Sequence, residues 1–233
     1  YNMKNIVIAT IKEWNINNYF ELKKELENEY SLYLLTNKDE LSFKNIEKIN
    51  PKYIFFPHWS WIIPENIYKN YECILFHMTD LPYGRGGSPL QNLIINKVYN
   101  TKISALKVTK GLDEGDIYLK EDFDISKGSA NEIYINASKL IFKKLIPNIL
   151  RQNPTPVRQE GDVVNFKRRT PEQSNIKMLN DVSIANLYDF IRMLDAPSYP
   201  KAYLELDNLK MELFEVIIKD GKLEGRFEVS KHE

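Results

Sequence analysis

Short apolar runs, set apart by charged amphipathic stretches, constrain this chain most. Asn5–Ala9, Tyr53–Phe56 and Cys73–Phe76 show almost no polar alternation. A strand that is apolar on both sides has to be covered on both faces, as in parallel sheets flanked by helices. Ser31–Thr36 and Lys102–Val108 read as further strands. Between the strands, Ile16–Tyr30, Asp39–Ile49 and Pro89–Val98 carry helical spacing, with Asn15 in position to cap the first. Strands alternating with helices predict an α/β fold, a doubly wound, Rossmann-like core with a mainly parallel sheet. A long helix over Asn131–Leu150 closes this part, and the polar, proline-bearing Arg151–Pro156 marks a linker. The expected division is a catalytic domain over 1–153 and a small β-rich subdomain over 154–233. In the latter, a helix near 184–194 precedes strands at 202–206, 211–218 and 223–229, with a hairpin turn at Asp220-Gly221.

Composition narrows the function. With 43% apolar residues and 12% aromatics the chain can bury a core. Its 32 basic residues equal its 32 acidic ones, so it lacks the basic surplus by which most nucleic-acid binders release counterions. No nucleic-acid partner is expected on that ground. Cys73 stands alone, which rules out an internal disulfide, and no Cys/His spacing suits structural zinc. No charged leader with an apolar stretch opens the sequence, and no apolar run reaches the roughly 18 residues of a membrane span. No membrane partner is expected, and the cytosol is the expected compartment.

Ligands of open α/β sheets bind beyond the carboxyl ends of the strands. There the chain places Thr10 and Lys12, then His58-Trp59-Ser60-Trp61-Ile62, then His77-Met78-Thr79, and finally the loop Thr109–Asp116. Between them runs Leu81-Pro82-Tyr83-Gly84-Arg85-Gly86-Gly87-Ser88-Pro89. Glycines there permit close backbone approach to a ligand, Arg85 suits a phosphate or carboxylate, and Pro89 suits a first helical turn. A connecting loop with a surface arginine fits the same residues, and a strand-end histidine is as often a hydrogen-bonded core residue.

The combination resembles a known family. His77, Thr79, Leu81-Pro82, Arg85-Gly86 and Pro89, followed by Leu112-Asp113-Glu114-Gly115-Asp116, are similar to the two signatures of the folate-dependent formyltransferases. That family includes glycinamide ribonucleotide formyltransferase, methionyl-tRNA formyltransferase and the sugar N-formyltransferases. The 36-residue interval from His77 to Asp113 holds the helix and strand its fold requires. In the tail, Arg169–Glu172 and Ile191–Pro200 resemble segments of the sugar branch. One position departs: Leu75 stands where the family usually carries Asn.

The resemblance implies 10-formyltetrahydrofolate as formyl donor and no metal. His77 becomes the hydrogen-bond donor to the developing oxyanion, and Asp113 the carboxylate that orients it and relays a proton. His58, at the end of the neighbouring strand, is the candidate to replace the missing Asn. Folate is expected near Leu112 and near Trp59, Ser60, Trp61 and Ile62, although core packing accounts equally well for the tryptophans. Thr10, Lys12, Asn15, Thr79, Arg85, Gly86 and Gly87 are assigned to the acceptor, with a solvated Lys12 and an ordinary N-cap as the plain alternative. The expected acceptor is a nucleotide-linked amino deoxysugar of surface-glycan synthesis. Methionyl-tRNA formylation and noncatalytic folate or nucleotide binding are the alternatives, and a homodimer is left open.

Overall fold

A computed structural model describes residues 2–232. The order is β1 (Lys4–Ala9), α1 (Glu13–Leu26), β2 (Tyr30–Leu35), α2 (Phe43–Ile49), β3 (Tyr53–Phe56), α3 (Glu65–Tyr68) and β4 (Cys73–His77). Then come β5 (Tyr83–Gly86), α4 (Pro89–Ile95), β6 (Asn100–Lys107), β7 (Ile117–Asp124), α5 (Ala130–Leu140), α6 (Ile146–Gln152) and β8 (Val164–Phe166). The tail adds α7 (Ile184–Arg192), β9 (Ala202–Leu206), β10 (Leu209–Lys219) and β11 (Lys222–Lys231). The chain divides into two compact units interleaved along the sequence. One comprises 1–85, 102–123 and 135–164; the other comprises 86–101, 124–134 and 165–233.

The main sheet runs β2-β1-β3-β4-β6-β7, and β2, β1, β3 and β4 are parallel. Ile6, Val7, Ile8, Ile54 and Phe55 are fully buried, as runs apolar on both faces require. The α/β expectation with a mainly parallel sheet holds, and β6 is the exception: it pairs with β4 antiparallel, Ile74 opposite Lys107 and His77 opposite Ser104. β7, which carries four charges in Lys120-Glu121-Asp122 and Asp124, escaped the sequence reading.

Local chemistry sets several boundaries. The Ser42 hydroxyl accepts from Asn45 N at 3.2 Å and starts α2. Asn15 does not cap α1; the helix starts after Lys12, whose φ of 75° turns the chain off β1. The predicted single helix over 131–150 runs instead through a π-helical turn, Ile141–Leu145, into α6. Pro147 explains this, because it donates no N–H and its ring crowds the carbonyl four residues back.

In the second unit β9, β10 and β11 form an antiparallel sheet in the order β11-β10-β9. Asp220 (φ 51°) and Gly221 (φ 71°) form the tight turn between β10 and β11, the paired positive φ angles of a two-residue hairpin. Among the described residues no helix is long and apolar enough to cross a membrane.

Candidate functional site

His77 closes β4, and Asp113 sits in the loop after β6. Because β6 ends opposite the start of β4, the loop has to run back along β4 by about 10 Å to meet His77. It does so. Asp113 Oδ2 lies 3.7 Å from His77 Nδ1, with both side chains about nine-tenths buried. That separation exceeds a hydrogen bond.

The other ring nitrogen is committed. A carbonyl can only accept, so Nε2 carries a proton and donates to Gly84 O at 2.7 Å. Fully buried Thr79 donates to the same carbonyl at 3.3 Å, and Ser104 Oγ donates to Thr79 O at 2.7 Å. Thr79, assigned above to the acceptor, thus faces inward and helps fix the carbonyl on which the histidine ring rests.

The Asp113 loop is pinned at two places. Asp113 itself has φ 55°, a left-handed conformation that aspartate tolerates better than most residues. Gly115 is required by space: a Cβ there would stand 1.7 Å from Lys107 O. Lys107 N also donates to Asp116 O at 2.9 Å, closing the loop onto β6. Gln159, which the sequence reading missed, donates from Nε2 to Asp113 O at 2.8 Å and to Gly115 O at 2.9 Å. Its Oε1 accepts from Arg85 Nε at 3.1 Å and Nη2 at 2.8 Å. No periodicity marks Gln159, which lies between the isolated bridge of Val157 with Ile117 and β8.

The remaining candidates separate into inward and outward groups. Thr10 is fully buried and donates to Pro57 O; Asn15 donates to Ile11 O at 2.9 Å, and its own carbonyl accepts from Ser138. Both tie the end of β1 to its neighbours. The glycines of the Gly-rich stretch likewise answer to the chain itself. A Cβ on Gly86 would meet Phe166 O at 2.3 Å, and one on Gly87 would meet Arg168 Cβ at 2.7 Å.

His58 adopts φ 65° and is solvent-accessible. Its imidazole is held below the ordinary histidine pKa, first by partial desolvation and then by the Lys12 ammonium. Leu75 packs half-buried against Leu81, Leu106 and Ile117. Trp59 lies edge-on to Phe56 and to Trp61, at centroid distances of 6.0 and 4.8 Å, and its Nε1 is buried without a partner. Ile62 (93% exposed) and Leu112 (70%) offer apolar surface, and Ser60 is exposed.

The family model for the C-terminal domain of methionyl-tRNA formyltransferase matches residues 171–230. A solved structure named methionyl-tRNA formyltransferase, from Clostridium thermocellum, is 49% identical, covers 98% of this chain and 100% of its own, and superposes with a TM-score of 0.93. The methionyl-tRNA formyltransferase of Rickettsia massiliae is 33% identical over 136 residues, 56% of this chain and 45% of that protein. The chain spans about half the length of such curated relatives. A sugar N-formyltransferase from Shewanella covers 97% of each chain at a TM-score of 0.70, but at 15% identity it shows the fold alone. These findings overturn two expectations. The nucleotide-sugar acceptor gives way, because the strong matches carry the tRNA enzyme's name. The exclusion of a nucleic-acid partner falls with it, since a zero net charge averages over the whole surface and says nothing of a local contact.

Proposed function

This chain belongs to the formyltransferase family, and on that premise we propose that it moves a formyl group from 10-formyltetrahydrofolate to the amine of methionyl-tRNA. The observation that carries the reading is the His77–Asp113 pair, buried together at 3.7 Å on a rigid strand end and a pinned loop. When bound, the folate supplies an activated one-carbon unit. The residues present fit such a flat, hydrogen-bonding ring: an edge-on Trp59–Trp61 pair, the unpartnered Trp59 Nε1, and the apolar surface of Leu112.

Since Nε2 is spent on Gly84 O, His77 can serve the formyl oxygen only from Nδ1, the nitrogen facing Asp113. Donation from Nδ1 needs a second ring proton, and the Asp113 carboxylate offsets the charge that proton brings. A preorganised donor of this kind is worth on the order of 3 kcal/mol of barrier. Asp113 also takes up the proton the attacking amine must lose as its bond to the formyl carbon forms, and that proton would go to N10 of the folate as the N10–formyl bond breaks and tetrahydrofolate leaves.

The test is direct. The protein, 10-formyltetrahydrofolate and methionyl-tRNA are incubated, with uncharged tRNA and an amino-sugar nucleotide as comparison acceptors, and products are read by mass. One added formyl group on the methionyl amine is expected. Methionyl-tRNA recovered unmodified, with the folate intact, would overturn the reading.

A further inference from the structure

We infer that Gln159 is a positioning residue for Asp113, and that Arg85 holds Gln159 in place instead of binding a substrate anion. The inference rests on the formyl-transfer reading above.

Two backbone carbonyls, two residues apart, converge on one side-chain amide. They can do so only while the turn between them keeps its shape, and that turn contains Asp113 at φ 55°. The orientation of the amide is settled by its other neighbour. A guanidinium has donors only, so the end of Gln159 that meets Arg85 must be its oxygen, and the nitrogen must face the loop. Both amide protons and the oxygen are then used. Arg85 Nη1 stands 3.9 Å from Glu114 Oε1, so the guanidinium touches the same loop a second time. Its side chain is only 16% exposed. On the far side Gly115 abuts Lys107 O, which stops the loop from sliding. The gap between Asp113 and His77 Nδ1 is thus set by Arg85 and Gln159, neither of which touches the histidine ring in any described bond. Misplacing a reacting group by about 1 Å can cost roughly 100-fold in rate.

Gln159→Glu keeps the length and can still meet Arg85, but sets a carboxylate against two carbonyls. Gln159→Ala removes the clamp. Both are compared with wild type by kcat, by KM for the folate, by thermal midpoint and by the ¹⁵N ring signals of His77. A fall in kcat of about 100-fold with KM little changed is expected. The double variant Asp113→Asn with Gln159→Ala should be no slower than Asp113→Asn alone, because the glutamine acts through the aspartate. Additive losses, or an unchanged kcat in a variant whose midpoint has dropped, would show a structural role only and overturn the inference. If Asp113→Asn itself runs at the wild-type rate, the formyl-transfer roles fail instead. The His77 ring signals still decide the clamp: they shift in Gln159→Ala if the loop is released, and unmoved signals sink it.

Discussion

Each unit buries a cluster of titratable side chains, and the two clusters are held together differently. In the second unit Asp189 is saturated. Arg192 Nε donates to its Oδ1 at 2.9 Å, Lys97 Nζ lies 3.4 Å from Oδ2, and the Tyr99 hydroxyl donates to Oδ2 as well. Arg192, 1% exposed, also donates from Nη1 to Ile125 O and Gly128 O at 3.0 Å. Burial, and then the neighbouring carboxylate, push the Tyr99 phenol up to about 12. In the first unit His77 Nδ1 and the Asp113 carboxylate stand 3.7 Å apart, and His77 Nε2 and the Gln159 amide bond to backbone carbonyls around them. An ion network of this kind braces a fold, although Arg192 Nη2 is buried in it without a partner. The His77–Asp113 pair is instead set by bonds to the backbone, His77 Nε2 to Gly84 O and Gln159 to the carbonyls of Asp113 and Gly115.

The largest effect should come from breaking the His77–Asp113 pair. His77→Ala is expected to lower formyl transfer by about 1000-fold, the upper end for removing one preorganised donor. The thermal midpoint should stay within a few degrees, since the ring braces only one loop carbonyl. Single-turnover rates and a melting curve check both halves, and an unfolded variant or a near-wild-type rate would erase the distinction between the clusters.

Breaking the Asp189 network should do the reverse. Arg192→Met leaves Asp189 buried with fewer cations and should destabilise by about 3 kcal/mol, in the range for removing one partner of a buried pair. At temperatures well below the melting transition kcat should be unchanged. Denaturation followed alongside activity separates the two readouts.

The two clusters also differ in how far the sequence exposed them. His77 and Asp113 sit in motifs with fixed spacing, so their pairing was readable before any geometry. The Asp189 network joins residues about 90 positions apart with no motif, and its partners look like surface charges on a helix. Apolar runs betrayed β1, β3 and β4, because a strand covered on both faces has no other composition. β7 hid behind its charges, and the antiparallel course of β6 could not be read because Lys102–Val108 is equally apolar in either direction. The glycines have a physical reason within the chain itself. The close approach expected there is present, and the group approaching at the Cβ position is the chain's own 166–168 segment.

The packing of Gly86 against Phe166 O gives a smaller effect. Gly86 has φ 103°, and a Cβ there would press on Phe166 O at 2.3 Å. Gly86→Ala should therefore destabilise by about 2 kcal/mol through overpacking and backbone strain. If the glycine served a ligand instead, the substitution would raise KM while leaving the melting curve in place.

The smallest effect is expected at His58, which belongs to neither cluster. Its left-handed φ of 65° is a conformation that costs a residue with a Cβ about 1 kcal/mol or more, and glycine relieves that at a somewhat smaller cost in chain entropy. His58→Gly should thus gain about 0.5 kcal/mol near pH 7.5, where the imidazole is neutral in both states. Acidification should widen the gain. The folded-state pKa lies below the ordinary value, through partial desolvation and then Lys12, so the unfolded chain takes up the proton first. Wild type accordingly loses stability as pH falls through the unfolded pKa of about 6.5 and stops losing it below the folded one. The glycine variant escapes that loss, so melting curves at pH 7.5 and pH 5 should diverge further at the acid end. The same variant decides whether His58 stands in for the asparagine that Leu75 displaces. A donor acting in the transition state would take kcat down with it while KM held, whereas a histidine that only neighbours Lys12 would leave kcat untouched and return nothing but the pH-dependent gain in stability.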